Sequence, residues 1–186
     1  CDWSSDVCSS DLPYAADASY IPHDAGYDDF VWLHDRIGIE RAVIVNASCH
    51  GLDNTVVTDA IAKSKGRFKG VGNVDDSFTE KQIDALDKGG IHGCRFTFLK
   101  RLGRTPDMSA FHRVVDKIKA FKWHVVIYLD PETVADFAPI LSALPVDYII
   151  DHMGTVDAGK GLDQPNFNAL IDLARRDEKC WVKTTG

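Results

Sequence analysis

The sequence predicts a parallel α/β fold, a TIM-type (β/α)8 barrel present as an incomplete ring of about six strands, numbers two to seven of eight. Three observations lead there. Short, nearly continuous apolar runs alternate with segments whose apolar residues recur at helical spacing, the signature of strand–helix–strand units. The runs begin at residues 41, 68, 91, 123, 146 and 180, close to the repeat of about 31 residues implied by about 250 residues in eight units. No run is followed by GxGxxG or a Walker loop, so no phosphate cradle of a doubly wound nucleotide fold is evident. An open flavodoxin-like sheet fits the alternation alone and stays as the rival.

Taken in order, residues 28–37 read as a helix stopped by Gly38. RAVIVN at 41–46 is the first strand and 68–74 the second. Thr79 followed by Gln82 forms a capping box ahead of the Ile83/Leu86 stripe, and Gly89-Gly90 closes that helix. Residues 91–98 form the third strand, and Phe111, Val114, Val115 and Ile118 give the next helix its apolar face. Strands at 123–129 and 146–151 follow, then a helix with Phe167, Leu170, Ile171 and Ala174 on one side, then a last strand at 180–184. Most of these strands lack polar alternation, as strands covered on both faces do.

The chain has 186 residues, 45% hydrophobic and 26% charged, enough for one domain with a substantial core. Its net charge of -7 argues against nucleic acid or an anionic membrane as partner, while local arginines still allow an anionic small-molecule substrate. No apolar run is long enough to span a bilayer, and the default location is the cytoplasm. The five cysteines form no CxxC pattern and read as buried, reduced thiols. Residues 1–12 (CDWSSDVCSSDL) have neither periodicity, resemble a translated sequencing adapter, and are set apart as a non-native leader to a domain spanning 13–186. The chain stops at Gly186 directly after a strand-like run, so the expectation is a fragment of a longer barrel.

In a barrel, chemistry gathers where strands run out at their C-terminal ends. There the sequence places Ser48, Arg95, Arg101, Tyr128 and His152. Arg95 stands inside an apolar strand, which is costly unless it meets a ligand anion or a structural carboxylate such as Asp151. Arg101, six residues on, either adds a second guanidinium at the same mouth or is solvated; two such forks suit a dicarboxylate. His152 at a strand terminus can polarise a carbonyl, or serve structurally. Tyr128 can donate a hydrogen bond to a substrate oxygen, or pack in the core. The other histidines show no HxH or HExxH spacing and stay unassigned, and Ser48 lacks a GxSxG elbow.

Taken together, SYIPHDA at 19–25, VNASCHG at 45–51, GCRFTFLKRL at 93–102, VIYLDPE at 126–132, IIDHMG at 149–154 and WVKTTG at 181–186 resemble the amidohydrolase-related (amidohydrolase 2) family. Their order is most similar to its 2-pyrone-4,6-dicarboxylate lactonase branch. The resemblance implies a TIM barrel that opens a lactone by adding water. It implies that Arg95 and Arg101 bind substrate carboxylates, that Tyr20, Ser48 and Tyr128 add hydrogen bonds, and that His152 polarises the lactone carbonyl. The family's HxH pair on strand one and aspartate base on strand eight are expected outside these residues, which makes the 186 residues alone an inactive fragment of an active parent. Lactonases also carry an arginine directly after HMG where this chain has Thr155, which points to a related lactone with one fewer anionic group. Metal-using relatives present a histidine where Tyr128 stands, so no metal and no other cofactor is expected. The resemblance further suggests a place in aromatic catabolism. The alternatives are a metal-dependent amidohydrolase or decarboxylase of the same superfamily, or a non-enzymatic product.

Overall fold

The computed structural model describes residues 12, 14–16, 18, 20–99 and 107–185. The chain falls into two compact units, Cys1–Arg95 and Phe96–Gly186.

The first unit holds α1 (Tyr27–Ile37), β1 (Ala42–Val45), α2 (Thr55–Lys63), β2 (Phe68–Gly72), α3 (Glu80–Lys88) and the opening of β3 (Ile91–Phe98). Helix α1 carries Asp28 and Asp29 in its first turn and His34 and Arg36 in its last, matching the helix dipole at both ends. It ends where expected: Gly38 takes φ 77°, a left-handed conformation open to glycine, and the next N–H, of Ile39, returns to the His34 carbonyl at 2.8 Å. Phe30 and His34 are buried against Phe68, Phe30 meeting it edge-on with ring centroids 5.3 Å apart. Helix α2 escaped the periodicity reading because it opens Thr-Val-Val-Thr, a β-branched run that favours strands. It forms because Val56, Val57 and Ala60 are buried beneath it. A Cβ on Gly70 of β2 would lie 2.6 Å from Val57 Cγ1, so only glycine lets α2 sit this close. The α3 capping box is present: Thr79 Oγ1 accepts the Gln82 N–H at 3.3 Å, and Gln82 Oε1 accepts the Thr79 N–H at 2.9 Å.

The second unit continues from the end of β3 through α4 (Met108–Ile118), β4 (His124–Leu129), α5 (Val134–Ser142), β5 (Tyr148–Ile150), α6 (Pro165–Arg176) and β6 (Cys180–Val182). The α4 face is the expected one, with Phe111, Val114, Val115 and Ile118 all buried. Helix α5 has Pro139 inside it, which deletes one backbone hydrogen bond and hid the helix from the sequence reading. The floor of the unit is Tyr148, which is fully buried and donates its hydroxyl to Asp177 Oδ2 at 2.8 Å. Burial, then that hydrogen bond, pushes the phenol's pKa well above its ordinary value, so it stays a neutral donor.

Pairing is parallel, β1 with β2 and β2 with β3 in the first unit, β4 with β5 and β5 with β6 in the second. Within each unit the strands follow chain order without reversal. That is the winding of a (β/α)8 barrel; a doubly wound sheet reverses at a switch point. The expected class, parallel α/β of the TIM-barrel type with six strands, is therefore the one found. The strands are shorter than the apolar runs suggested. The run at 146–151 yields a strand over Tyr148–Ile150, and that at 180–184 one over Cys180–Val182, each leaving a charged residue one step beyond its end. The thiols of Cys49 and Cys94 are buried as expected and that of Cys180 half-buried, all three unbridged; Cys1 and Cys8 lie outside the described residues. No helix among the described residues is long and apolar enough to cross a membrane.

Candidate active site

In the first unit, β1 runs into a buried lattice of three side-chain amides. Asn46 Nδ2 donates to the Asp53 carbonyl at 2.9 Å and to Asn54 Oδ1 at 3.0 Å. Asn54 Nδ2 donates to the Asn73 carbonyl at 2.9 Å while its Oδ1 accepts the Asn73 N–H at 2.8 Å. Asn73 Nδ2 reaches back to the Gly51 carbonyl at 2.9 Å. These bonds satisfy loop backbone groups that burial would otherwise strand, and they fix the segments after β1 and β2 to one another. The sequence reading missed this lattice; its trace is an asparagine just past two consecutive strand runs, VIVN at 43–46 and GVGN at 70–73.

The same segment carries Ser48, exposed at the start of a single 3-10 turn, Ser48–His50. Tyr20 precedes α1 and is 42% exposed. Arg95 is half-buried in β3, its Nε enclosed, next to Cys94, whose thiol pKa burial pushes far above its usual value. His50, which the sequence left unassigned, is buried and stacks on Tyr14 with ring centroids 5.0 Å apart. Arg101 lies outside the described residues.

In the second unit, the ends of β4, β5 and β6 bring four groups together. The register Ile127 to Ile150 to Val182 aligns the three strands, so Tyr128, Asp151 and Lys183 are the next residues along each. Asp151 is completely buried. Its Oδ1 lies 2.9 Å from Lys183 Nζ and accepts the His152 N–H at 3.1 Å. Its Oδ2 lies 3.6 Å from His152 Nε2, an ion-pair approach but beyond a hydrogen bond. The His152 side chain is 10% exposed. One side of the imidazole faces the Tyr128 ring, centroids 4.9 Å apart, and its Nδ1 lies 3.4 Å from Thr185 Oγ1. Nε2 is buried and makes no hydrogen bond among the described residues.

The backbone carrying this imidazole is strained. His152, Met153, Gly154 and Thr155 have φ of 48°, 52°, 64° and 54°, a left-handed run in which only one residue is glycine. Each non-glycine there costs about 1–2 kcal/mol, and such strain persists only where surroundings hold it. The surroundings are identifiable: the Met153 N–H donates to the Lys183 carbonyl at 2.9 Å, and Thr155 Oγ1 donates to the Leu129 carbonyl at 2.9 Å. Of the residues proposed from sequence, Tyr128 and His152 are thus brought together in this unit. Lys183 and Thr185 were not singled out, although opposite charges directly past two consecutive short apolar runs, YIID and CWVK, were the available signal.

Chemically, the cluster offers an enclosed imidazole with one nitrogen that makes no hydrogen bond among the described residues, a phenol beside it, and a carboxylate whose charge is met by an ammonium. That arrangement suits polarising a carbonyl oxygen. Among the described residues no three His, Cys, Asp or Glu side chains gather at metal-binding distance.

The chain is similar to known proteins in sequence and in fold. The amidohydrolase family model matches residues 8–186. A 2-pyrone-4,6-dicarboxylate hydrolase of Comamonas testosteroni is 32% identical over 176 residues, covering 95% of this chain and 58% of that protein. A 4-sulfomuconolactone hydrolase of Hydrogenophaga intermedia is 37% identical over 175 residues, covering 94% of this chain and 57% of its own length. A crystal structure from Acinetobacter baumannii, described as a probable 2-pyrone-4,6-dicarboxylic acid hydrolase with citric acid bound, superposes with a TM-score of 0.85 at 25% identity, covering 98% of this chain and 68% of the other. The chain thus spans somewhat over half the length of the curated relatives it matches.

Proposed function

The chain belongs to the amidohydrolase family, and on that premise we propose that the protein carrying it hydrolyses a small anionic lactone. The observation that carries the reading is His152, held at the end of β5 in a strained turn with Nε2 buried and making no hydrogen bond among the described residues. In the proposed reaction the oxygen of water bonds to the lactone carbonyl carbon and the acyl–oxygen bond to the ring breaks. The ring oxygen leaves as a hydroxyl, the acyl group as a carboxylate, and one proton is released. As charge builds on the carbonyl oxygen, the His152 N–H donates to it, and its preorganised position makes that hydrogen bond worth more than one to water. Arg95 and Arg101 bind the substrate's anionic groups as planar forks, and Tyr20, Ser48 and Tyr128 supply neutral hydrogen bonds.

The anionic groups are fewer than in a pyrone dicarboxylate. Thr155 stands where the lactonases carry an arginine after HMG, and its hydroxyl is already spent on the Leu129 carbonyl. The reaction is proposed to proceed without a metal. A zinc centre takes three or four His, Cys or carboxylate ligands, whereas the second unit offers one imidazole, a phenol, and a carboxylate already occupied by the Lys183 ammonium, whose charge opposes a cation. Among the described residues the donor set does not fit a metal, and no step is routed through one. A role in catabolism of aromatic compounds, in the cytoplasm, completes the reading.

The test is turnover by the protein at the length of its relatives, offered 4-sulfomuconolactone and 2-pyrone-4,6-dicarboxylate with and without chelator. Ring opening of at least one of them that survives chelation is expected. No turnover of either lactone would overturn the reading, and loss of activity on chelation would overturn its metal-free part.

A further inference from the structure

Three consecutive carbonyls in the segment after β1 are each taken by a different asparagine side chain. Gly51 accepts from Asn73 Nδ2 at 2.9 Å, Leu52 from Asn54 Nδ2 at 3.1 Å, and Asp53 from Asn46 Nδ2 at 2.9 Å. A loop on which three amides converge gives up the freedom that surface segments ordinarily keep. Just ahead stands the 3-10 turn Ser48–His50, closed by the Gly51 N–H on the Ser48 carbonyl at 3.1 Å. Gly51 leaves the turn at φ 57° and ψ -126°, a conformation that a residue with a Cβ avoids. Gly51 is therefore gripped through its N–H by Ser48 and through its carbonyl by Asn73.

The members of the lattice are not equivalent. Asn54 is buried, bonds to Leu52, Asn46 and both backbone groups of Asn73, and lies so close to β2 that a Cβ on Gly72 would fall 2.7 Å from its Oδ1. It belongs to the packing of the two strands. The Asn73 backbone shares that packing, but its side chain reaches across to Gly51, 22 residues earlier. Loss of the Asn73 amide thus releases Gly51 and leaves the Asn54 bonds in place. A second tie to the turn is the Ala15 N–H, which donates to the Cys49 carbonyl at 2.8 Å. Ser48 is exposed while Cys49 and His50 beside it are buried, so slippage of the turn changes where the hydroxyl stands. We infer that Asn73 is a positioning residue: by holding the Gly51 carbonyl it fixes the turn that presents the Ser48 hydroxyl, and so sets how tightly an anionic lactone is held. The use of that hydroxyl rests on the lactone reading; its placement by Asn73 does not.

Two measurements on N73D, made on the protein at the length of its relatives, separate placement from use. The substitution keeps the shape of the side chain and turns the donor facing Gly51 into an acceptor. In amide hydrogen exchange without substrate, protection of the Gly51 N–H is expected to fall about 3–10-fold, the loss of one neutral hydrogen bond. The Asn46 N–H, bonded to the Val71 carbonyl at 2.8 Å, is expected to keep its protection. On the lactone, S48A and N73D are each expected to raise KM about 3–10-fold with kcat little changed, and S48A/N73D no further than the larger single effect. Unchanged Gly51 protection in a folded N73D would overturn the inference. So would N73D raising KM as much in the S48A background as in the unsubstituted protein, or a KM that neither variant moves, and in both cases lactone turnover itself would still stand. If the unsubstituted protein opens neither lactone, the functional reading falls and the Gly51 exchange alone decides the placement. Should N73D not fold, N73S, which withdraws the donor without adding a charge, carries the same expectations.

Discussion

Replacing either partner of the buried pair at the rim of β5 and β6 should cost far more than replacing both. D151N removes the Asp151 charge from beside the Lys183 ammonium, whose nitrogen is enclosed, and K183M removes that ammonium from beside the fully buried Asp151 carboxylate. Breaking one side of a buried ion pair costs about 3–5 kcal/mol, because the surviving charge keeps its desolvation penalty. The Lys183 side chain is 22% exposed and can relax outward, so D151N should fall at the lower end, about 3 kcal/mol. K183M, with no such escape for Asp151, should lie higher, about 4–5 kcal/mol. With a urea slope of about 2 kcal/mol per molar, each single variant lowers the unfolding midpoint by about 1.5–2.5 M. The double variant buries a neutral amide and a thioether instead and should cost only about 1–2 kcal/mol, less than either single variant and far below the sum of the single effects. Urea titrations of all four proteins measure the cycle. Strict additivity, with the double variant as unstable as the sum of the singles, would show that the two charges do not meet in the folded protein and would refute the reasoning.

Two further predictions concern the first unit. G70A should destabilise the fold by about 1–3 kcal/mol, read as a lowered thermal midpoint, because the new methyl falls 2.6 Å from Val57 Cγ1; an unchanged midpoint would show that α2 does not press on β2 there. His34 is buried, and that burial, followed by the nearby Arg67 charge, holds its pKa below the ordinary 6.5. The unfolded chain therefore binds this proton first as pH falls, so stability should be full above about pH 6.5 and decline on acidification until the folded group also protonates. Urea midpoints between about pH 7.5 and about pH 5 check this, and H34L should flatten that part of the profile; a stability that rises on acidification through the same window would contradict it.

Elements whose cause is local were legible in the sequence. The Thr79–Gln82 capping box, the Gly38 stop and the Phe111–Ile118 stripe each depend on residues within a turn or two, and each stands where the spacing put it. Helices α2 and α5 were hidden by a β-branched opening and an internal proline, whose local preferences burial of Val57 and Leu141 overrides. At the site, Tyr128 and His152 were legible because strand ends could be located. Lys183 was not, since its meaning comes from a cross-strand register that pairs it with a residue 32 positions earlier. The asparagine lattice is of the same kind: Asn46 and Asn73 are unremarkable until β1 and β2 lie side by side. Nor does DHMGT advertise a left-handed run, for of the four residues that adopt it only Gly154 does so without steric cost.

That the His152 imidazole stabilises the developing charge of an opening lactone is tested most directly by comparing kcat for H152Q and the unsubstituted protein on the same lactone, at the length of the relatives. The account predicts a loss of about 10²–10³ in kcat with a much smaller change in KM, since the interaction belongs to the transition state. A variant that turns over at the unsubstituted rate would contradict it.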